Sequence, residues 1–228
     1  MNLKQDMLEI IDNSIKAVLP ESAVKEALKR PDFQARLGKG RLVVASIGKA
    51  AWRMAKAASD ILENLNPSGA VVTKYEHSMG DIKGLEIFEA GHPVLDENTL
   101  KGTRALLEHV KNLNENDTVL FLVSGGGSAL FELPAEGVEL SDMKDITSQL
   151  LSCGADIVEI NTIRKHLSSV KGGRFAQLCA PAHVFMVVLS DVLGDRLDSI
   201  ASGPAWPDDS TSEEALEIVK KYSLNVKP

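Results

Sequence analysis

Aromatic side chains make up only 4% of the 228 residues, and Trp52 and Trp206 are the sole indoles. A chain this poor in flat side chains lacks stacking platforms for nucleobases or sugar rings. Cysteine is nearly absent as well. Cys153 and Cys179 both sit in apolar stretches and read as two buried, reduced thiols of a cytoplasmic protein. No apolar run approaches the ~18 residues that suggest a membrane span, so no membrane partner is expected. The opening Met1-Asn-Leu-Lys-Gln-Asp has early polar residues where a secretion signal would have an apolar core. Positive charge is also short: 25 Lys and Arg stand against 32 Asp and Glu, a net charge of −7. That balance argues against nucleic acid as principal partner, while leaving room for a local basic pocket around an anionic small molecule. Neither an internal repeat nor a low-complexity tract is visible.

What the chain does have is a buried-strand pattern that delivers glycine. Thr118 to Val123 is an apolar, β-branched and aromatic run of strand length. It breaks into Ser124-Gly125-Gly126-Gly127-Ser128, three residues without Cβ flanked by two hydroxyls. Such a loop lets a ligand approach bare backbone N–H groups, and a strand aims it at a sheet edge where anions and phosphates bind. The competing reading is a flexible turn.

Other segments fit the same architecture. Residues 3–19 place apolar side chains at helical spacing, and Pro20-Glu21-Ser22 opens a second helix that Pro31 closes; both are expected to be packing elements. Strands are expected at Leu42–Ile47, Ala70–Thr73, Leu85–Glu89, Thr118–Val123 and Val184–Ser190, with helices between them. Strand–helix alternation of this kind predicts an α/β fold with a mainly parallel sheet covered on both faces. Gly48-Lys49 follows the first strand and opens a helix. It is no Walker loop, because Ala50 stands where Ser or Thr is required. Lys49 in a first helical turn opposes the helix dipole; it is either a solvated lysine or a cation held for a phosphate. His92, in the loop Gly91-His92-Pro93, faces a ligand or orders its own backbone. Asp96 is placed to cap the helix that follows.

The stretch 155–174 breaks its own pattern. Ile157, Ile160, Ile163, Leu167 and Val170 define an apolar face, and a continuous helix turns Arg164 and Lys171 toward that packed side, with Asn161 and Ser168 on its margin. Such a conflict is where sites tend to show. Arg164 is expected at the rim of the Ser124–Ser128 loop, its planar fork suited to a carboxylate; the alternative is an ion pair with Glu159 or Asp156. Lys165 and His166 fall outside the stripe and read as solvated or structural. Gly172-Gly173 is expected to end the helix and free backbone N–H groups. Asp191, just past the strand Val184–Ser190, can act as base or metal partner.

Taken in order, Gly48-Lys-Ala-Ala, Gly91-His-Pro-Val, Ser124-Gly-Gly-Gly-Ser-Ala-Leu, the run Gly154 to Ser168, Lys171-Gly-Gly-Arg, Leu189 to Asp195 and Ser202-Gly-Pro resemble the amino-terminal domain of the two-domain glycerate 2-kinases. That family is also described in places as hydroxypyruvate reductases, yet no complete Gly-x-Gly-x-x-Gly fingerprint follows a strand here. The resemblance implies one Rossmann-like three-layer α/β/α domain over residues 1–228, with residues 1–38 as a helical lead-in. It implies transfer of the γ-phosphoryl of ATP to D-glycerate, giving 2-phosphoglycerate, with Mg²⁺. By the same resemblance Lys49 and Asp191 are catalytic, while Ser124, Gly125, Gly126, Gly127, Ser128, Asn161, Arg164 and Lys171 bind substrate or phosphate. Family members carry a second, carboxyl-terminal domain and an active site between the two. A partial enzyme, inactive alone, is therefore expected; the alternative is a non-catalytic phosphometabolite-binding module.

Overall fold

The computed structural model describes residues 3–190 and 196–226, so Asp191 lies outside the described residues. Helices α1 (Leu3–Ala17), α2 (Pro20–Leu28) and α3 (Pro31–Gln34) precede strand β1 (Leu42–Ile47) and helix α4 (Ala51–Ile61). Then come β2 (Ser68–Lys74), β3 (Leu85–Ala90), α5 (Glu97–His109), β4 (Thr118–Ser124) and the one-turn α6 (Gly127–Leu130). Helices α7 (Leu140–Ser152), α8 (Ile157–His166) and α9 (Arg174–Cys179) lead to β5 (His183–Leu189), and α10 (Ser212–Lys221) follows.

Every strand pair is parallel, in the order β3-β2-β1-β4-β5. The central strands are apolar on both sides because both sides are covered. Leu42, Val44, Leu120 and Leu122 join a core with α2 and α4, through Val24, Leu28, Met54 and Ala58. Val43, Ala45, Ile47, Val119, Phe121 and Val123 face the other layer, with Leu106 of α5 and Phe175 of α9. Phe121 anchors that layer, its ring 4.6 Å from Phe175 and 6.0 Å from Phe131. Full burial of one such ring contributes roughly 1.5–3 kcal/mol. The expected three-layer α/β/α arrangement is the observed one.

Local rules explain most helix starts. Asp96 caps α5 by accepting from Thr99 N at 3.0 Å, and Asp156 caps α8 through Val158 N and Glu159 N. Thr211 caps α10 by accepting from Glu214 N at 3.2 Å.

Three expectations need correction. Helix α1 is not a packing element: none of its residues is buried, although α2 packs as expected. Helix α8 does not run on to Val170. It ends at His166, with Leu167 as its cap, and the chain then turns. Cys153 is exposed as the carboxyl-terminal cap of α7, its thiol turned back to Gln149 O; only Cys179 is buried, and burial pushes its thiol up to about 12.

Candidate functional site

Strand β1 sits between β2 and β4, so the chain leaves its carboxyl end in one direction and returns beside it from the other. Such a switch point opens a crevice at the carboxyl ends of the strands. Here the two loops that border it are in direct contact. Gly48 has φ +112°, and any Cβ on it would strike the carbonyl and hydroxyl of Ser124. The next amide, Lys49 N, donates to Gly125 O at 2.8 Å. Ala50 N donates to Ser124 Oγ at 3.0 Å, and that hydroxyl donates to Ile47 O at 3.2 Å. Ser124 is thus consumed in joining the two loops. Lys49 itself is exposed and lies in the turn ahead of α4, not in its first helical turn, so the conflict with the helix dipole does not arise.

Gly126, at φ +87°, brings a third loop in. A Cβ there would lie 2.8 Å from the His92 ring and 3.3 Å from Lys49 Cγ. His92, Lys49 and the glycine loop therefore share one rim. Burial, followed by the charges of Lys49, Lys74 and His77, holds the His92 pKa below the ordinary histidine value. The neighbouring His77 is tied to the same turn, its Nδ1 2.9 Å from Lys49 O.

The floor beneath the loop is built from the turn that contains Ala201, Ser202 and Gly203. Ala201, Ser202 and Gly203 are all left-handed, at φ +53°, +60° and +62°. Two non-glycine residues in succession there hold strain that surrounding contacts must offset. Those contacts are specific. Ser202 Oγ donates to Asn161 Oδ1 at 2.9 Å and lies 3.4 Å from Ser128 Oγ. Gly172 N and Gly173 N donate to Ser202 O and Gly203 O at 3.1 and 2.8 Å, so these amides are occupied and not free as expected. Lys171 is wholly buried; its ammonium donates to Phe131 O at 2.9 Å and Ala201 O at 3.3 Å, and lies 3.6 Å from Glu132 Oε2. Glu132 in turn accepts from Ser168 Oγ and Leu133 N. Burial lowers the Lys171 pKa, with the Glu132 charge opposing.

Asn161 and Lys171 are therefore brought to the site from below, through Ser202 and Ala201. Arg164 is half-buried, and burial depresses its pKa against the pull of Glu132. Among the described residues no hydrogen bond or ion pair engages its guanidinium. The alternative partners are occupied: Glu159 binds Lys221 and Tyr222 at 2.6 and 2.7 Å, and Asp156 caps its own helix. Lys165, expected to be solvated, is instead buried and paired with Asp208 at 3.2 Å. The early end of α8 is the reason, since Arg174 reaches back to Lys165 O at 2.7 Å and packs that turn inward.

A cavity of about 350 Å³ lies against the loop, lined by Ser124 to Ser128, Asn161, Ser190, Arg196, Ser199 and Ala201 among others. A groove of about 670 Å³ adjoins it between α8 and α10, sharing Asn161, Arg196 and Ser199. Six carboxylates line that larger groove, from Glu159, Asp198, Asp208, Asp209, Glu214 and Glu217, against Lys165, Arg196 and Lys221. No carboxylate lines the smaller cavity among the described residues, so it is the less acidic of the two. Sequence reading did not single out Arg196 or Ser199. The string Ser202-Gly203-Pro204 was legible as a loop, but nothing in it indicated left-handed residues under the glycines.

The family model described as "Domain of unknown function (DUF4147)" matches residues 6–228. The chain belongs to the DUF4147 family. Two relatives make its DUF4147 neighbourhood concrete. D-glycerate 2-kinase of Thermotoga maritima is 60% identical over 98% of this chain and 52% of its own length. Glycerate 2-kinase of Pyrococcus horikoshii is 42% identical over 98% and 51%. The crystal structure of the Thermotoga maritima glycerate kinase superposes with a TM-score of 0.90 at 59% identity, covering 99% of this chain and 53% of that one. The chain thus spans about half the length of the relatives it matches, and within that span the fold is theirs.

Proposed function

We propose that this DUF4147 chain provides the phosphate- and acid-binding half of an enzyme that transfers the γ-phosphoryl group of ATP to D-glycerate, giving 2-phosphoglycerate. The observation that carries the reading is the contact of the Lys49 turn with the Ser124–Ser128 loop at the β1/β4 switch point, Lys49 N to Gly125 O. Phosphoryl transfer needs positioning and charge stabilisation more than covalent chemistry from the protein. Lys49, exposed at that rim, meets the phosphate oxygens as a point charge. The glycines admit the phosphate chain where any Cβ at Gly126 would fill the space, and Ser128 offers a hydroxyl. Arg164 takes the glycerate carboxylate. Asn161 and Lys171 act from beneath by holding the Ala201–Gly203 turn.

The residues fit a nucleotide's phosphates; they do not by themselves make a cation site. No cluster of three or more metal-ligating side chains occurs among the described residues. Mg²⁺ bound with the nucleotide would neutralise charge on the phosphates, taking one or two carboxylates and the phosphate oxygens as ligands; Asp191 is assigned as that carboxylate or as the base for the substrate hydroxyl. Half a cleft clamps the reacting group from one side only, so the reading includes a second unit that completes the site.

Calorimetric titration of the 228-residue protein with a non-hydrolysable ATP analogue tests it. Binding strengthened by Mg²⁺ and weakened about tenfold or more by Lys49→Ala is expected. Metal-independent binding of 2-phosphoglycerate with no nucleotide binding would instead establish a phosphometabolite sensor.

A further inference from the structure

Loops from four neighbouring strands meet at Lys49. The turn after β1 carries Lys49 itself. Thr73, near the end of β2, donates from its hydroxyl to Gly48 O at 3.1 Å and so holds the end of β2 against that turn. The loop after β2 returns with His77, whose Nδ1 lies 2.9 Å from Lys49 O. The loop after β3 brings His92, and the loop after β4 brings Gly126, where an added Cβ would lie 2.8 Å from the His92 ring.

The charge gathered at this junction has one sign. The charges that act on the His92 ring are those of Lys49, Lys74 and His77, all basic groups. Neither lysine forms an ion pair among the described residues, and the His92 ring makes no hydrogen bond there. The carboxylates nearby are spent on the backbone and on Tyr75. Glu89 accepts from His77 N and Ser78 N at 3.1 and 2.9 Å. Asp96 accepts from the Tyr75 hydroxyl at 2.7 Å and from Thr99 N at 3.0 Å. Glu76, on the loop after β2, is exposed to solvent. Two lysines and two titratable rings held together without a counter-charge repel one another, and a bound anion relieves that repulsion.

Geometry and proton chemistry narrow the anion. Adjacent strands lie about 4.8 Å apart, so groups at the ends of β1, β2 and β3 spread over roughly 10 Å. That is wider than one phosphate group and suits several joined in a chain. A carbonyl only accepts, so His77 Nδ1 carries that ring's proton and its Nε2 meets an anion only after a second proton arrives. Burial and the surrounding cations keep the free His92 ring neutral at pH 7. A bound anion opposes those cations, raises the pKa of both rings and so draws protons in.

We propose that Lys49, Lys74, His77 and His92 form a subsite for a chain of linked phosphate groups, whose binding is coupled to proton uptake by the two imidazoles. It rests on the phosphate-binding reading above and gives the chain a direction. The phosphates run from the glycine loop toward β3, away from the cavity lined by Asn161 and Arg196 on the β5 side.

The test is calorimetric titration of the 228-residue protein with inorganic tripolyphosphate, free of metal, in buffers of different ionisation enthalpy. A parallel titration uses a non-hydrolysable ATP analogue with Mg²⁺. His92→Gln and Lys74→Gln should each weaken tripolyphosphate binding about fivefold or more at pH 6. Proton uptake at pH 7 should be smaller in His92→Gln than in the wild type, and the ratio of their affinities should grow as pH falls from 8 to 6. The ligand's own protonation is common to both proteins and cancels in that comparison. Lys83→Gln, at the amino end of β3 and paired with Glu63 at 3.5 Å, should leave affinity unchanged. An equal loss in Lys83→Gln would reduce the effect to diffuse charge attraction and overturn the proposal. So would a failure to bind tripolyphosphate, or binding indifferent to Lys74→Gln and His92→Gln. ATP-analogue binding that depends on Lys49 alone would overturn the subsite and leave the kinase reading standing. Tripolyphosphate binding with the expected losses but no nucleotide binding would keep the subsite and remove that reading.

Discussion

Arg164, Lys171 and His92 show how far a side chain's role depends on its partners. Arg164 is half-buried and makes no hydrogen bond or ion pair among the described residues, though the Glu132 charge acts on it; the function proposed above gives it a substrate carboxylate. In the two-unit enzyme proposed above, Arg164→Lys keeps the charge and loses the planar fork. Steady-state kinetics should show KM for glycerate rising at least about tenfold with KM for ATP little changed; a fall in melting temperature with both KM values unchanged would make it structural. Lys171 is the opposite case, a charge with every bond made inside the protein. Lys171→Met strands the Glu132 carboxylate and should cost about 3–5 kcal/mol in urea unfolding, most of it regained when Glu132→Gln is added. His92 titrates. Its folded pKa lies below the unfolded one, so the unfolded chain takes the proton first. The His92 contribution to stability is then complete above the ordinary histidine value, about 6.5, and is lost as pH falls from there through the folded pKa. Lys49→Ala removes one of the charges that depress it. An NMR titration should place the His92 pKa higher in the variant, still short of the ordinary value because burial remains. An unchanged pKa would separate the two residues.

Elements explain why the glycine loop has its shape. β4 is buried along its whole length and ends at Ser124, whose hydroxyl ties the loop to the β1 turn. The loop is therefore held at its root and bare at its tip. Gly126→Ala should cost about 1–2 kcal/mol for the left-handed backbone, and its methyl group would press on His92 and Lys49. ATP-analogue affinity should fall about tenfold, or about 1.4 kcal/mol. Gly137 provides the control: it has a similar φ of +82°, with nothing within 4 Å of an added Cβ. Gly137→Ala should lower the melting temperature comparably and leave affinity unchanged. Equal affinity loss in both would mean that backbone strain, not contact at the loop, is being measured. The loop after β4 was legible because the apolar run Thr118 to Val123 forms a buried strand that ends at Ser124; its use as a ligand loop is the proposal above. The loop's continuation into the single turn α6 was not legible, since four residues carry no periodicity.

For the whole molecule, one rim with a single covered side predicts poor catalysis. Glycerate-dependent release of ADP by the 228-residue protein should be near background, while the double-length Thermotoga relative turns over and its substitution matching Lys49→Ala lowers kcat on the order of 10²-fold. Robust turnover by this chain alone would show that one rim suffices. The sequence by itself determined the layers, because strands such as Val43–Ile47 and Val119–Val123 are apolar at every position and must be covered on both faces. It also determined the start of α5, which is local hydrogen-bond chemistry at Asp96. Tertiary structure alone decided which polar groups are spent. Lys171 read as a cation turned toward the packed side to meet a ligand and Lys165 as a solvated one, yet the first is sealed against Phe131 O, Ala201 O and Glu132 and the second against Asp208. Their partners lie far along the chain, and α8 stops before the periodicity does. Periodicity identifies an apolar face without naming what covers it, as α1 shows: burial is a relation between segments, and a one-dimensional pattern contains only one of them.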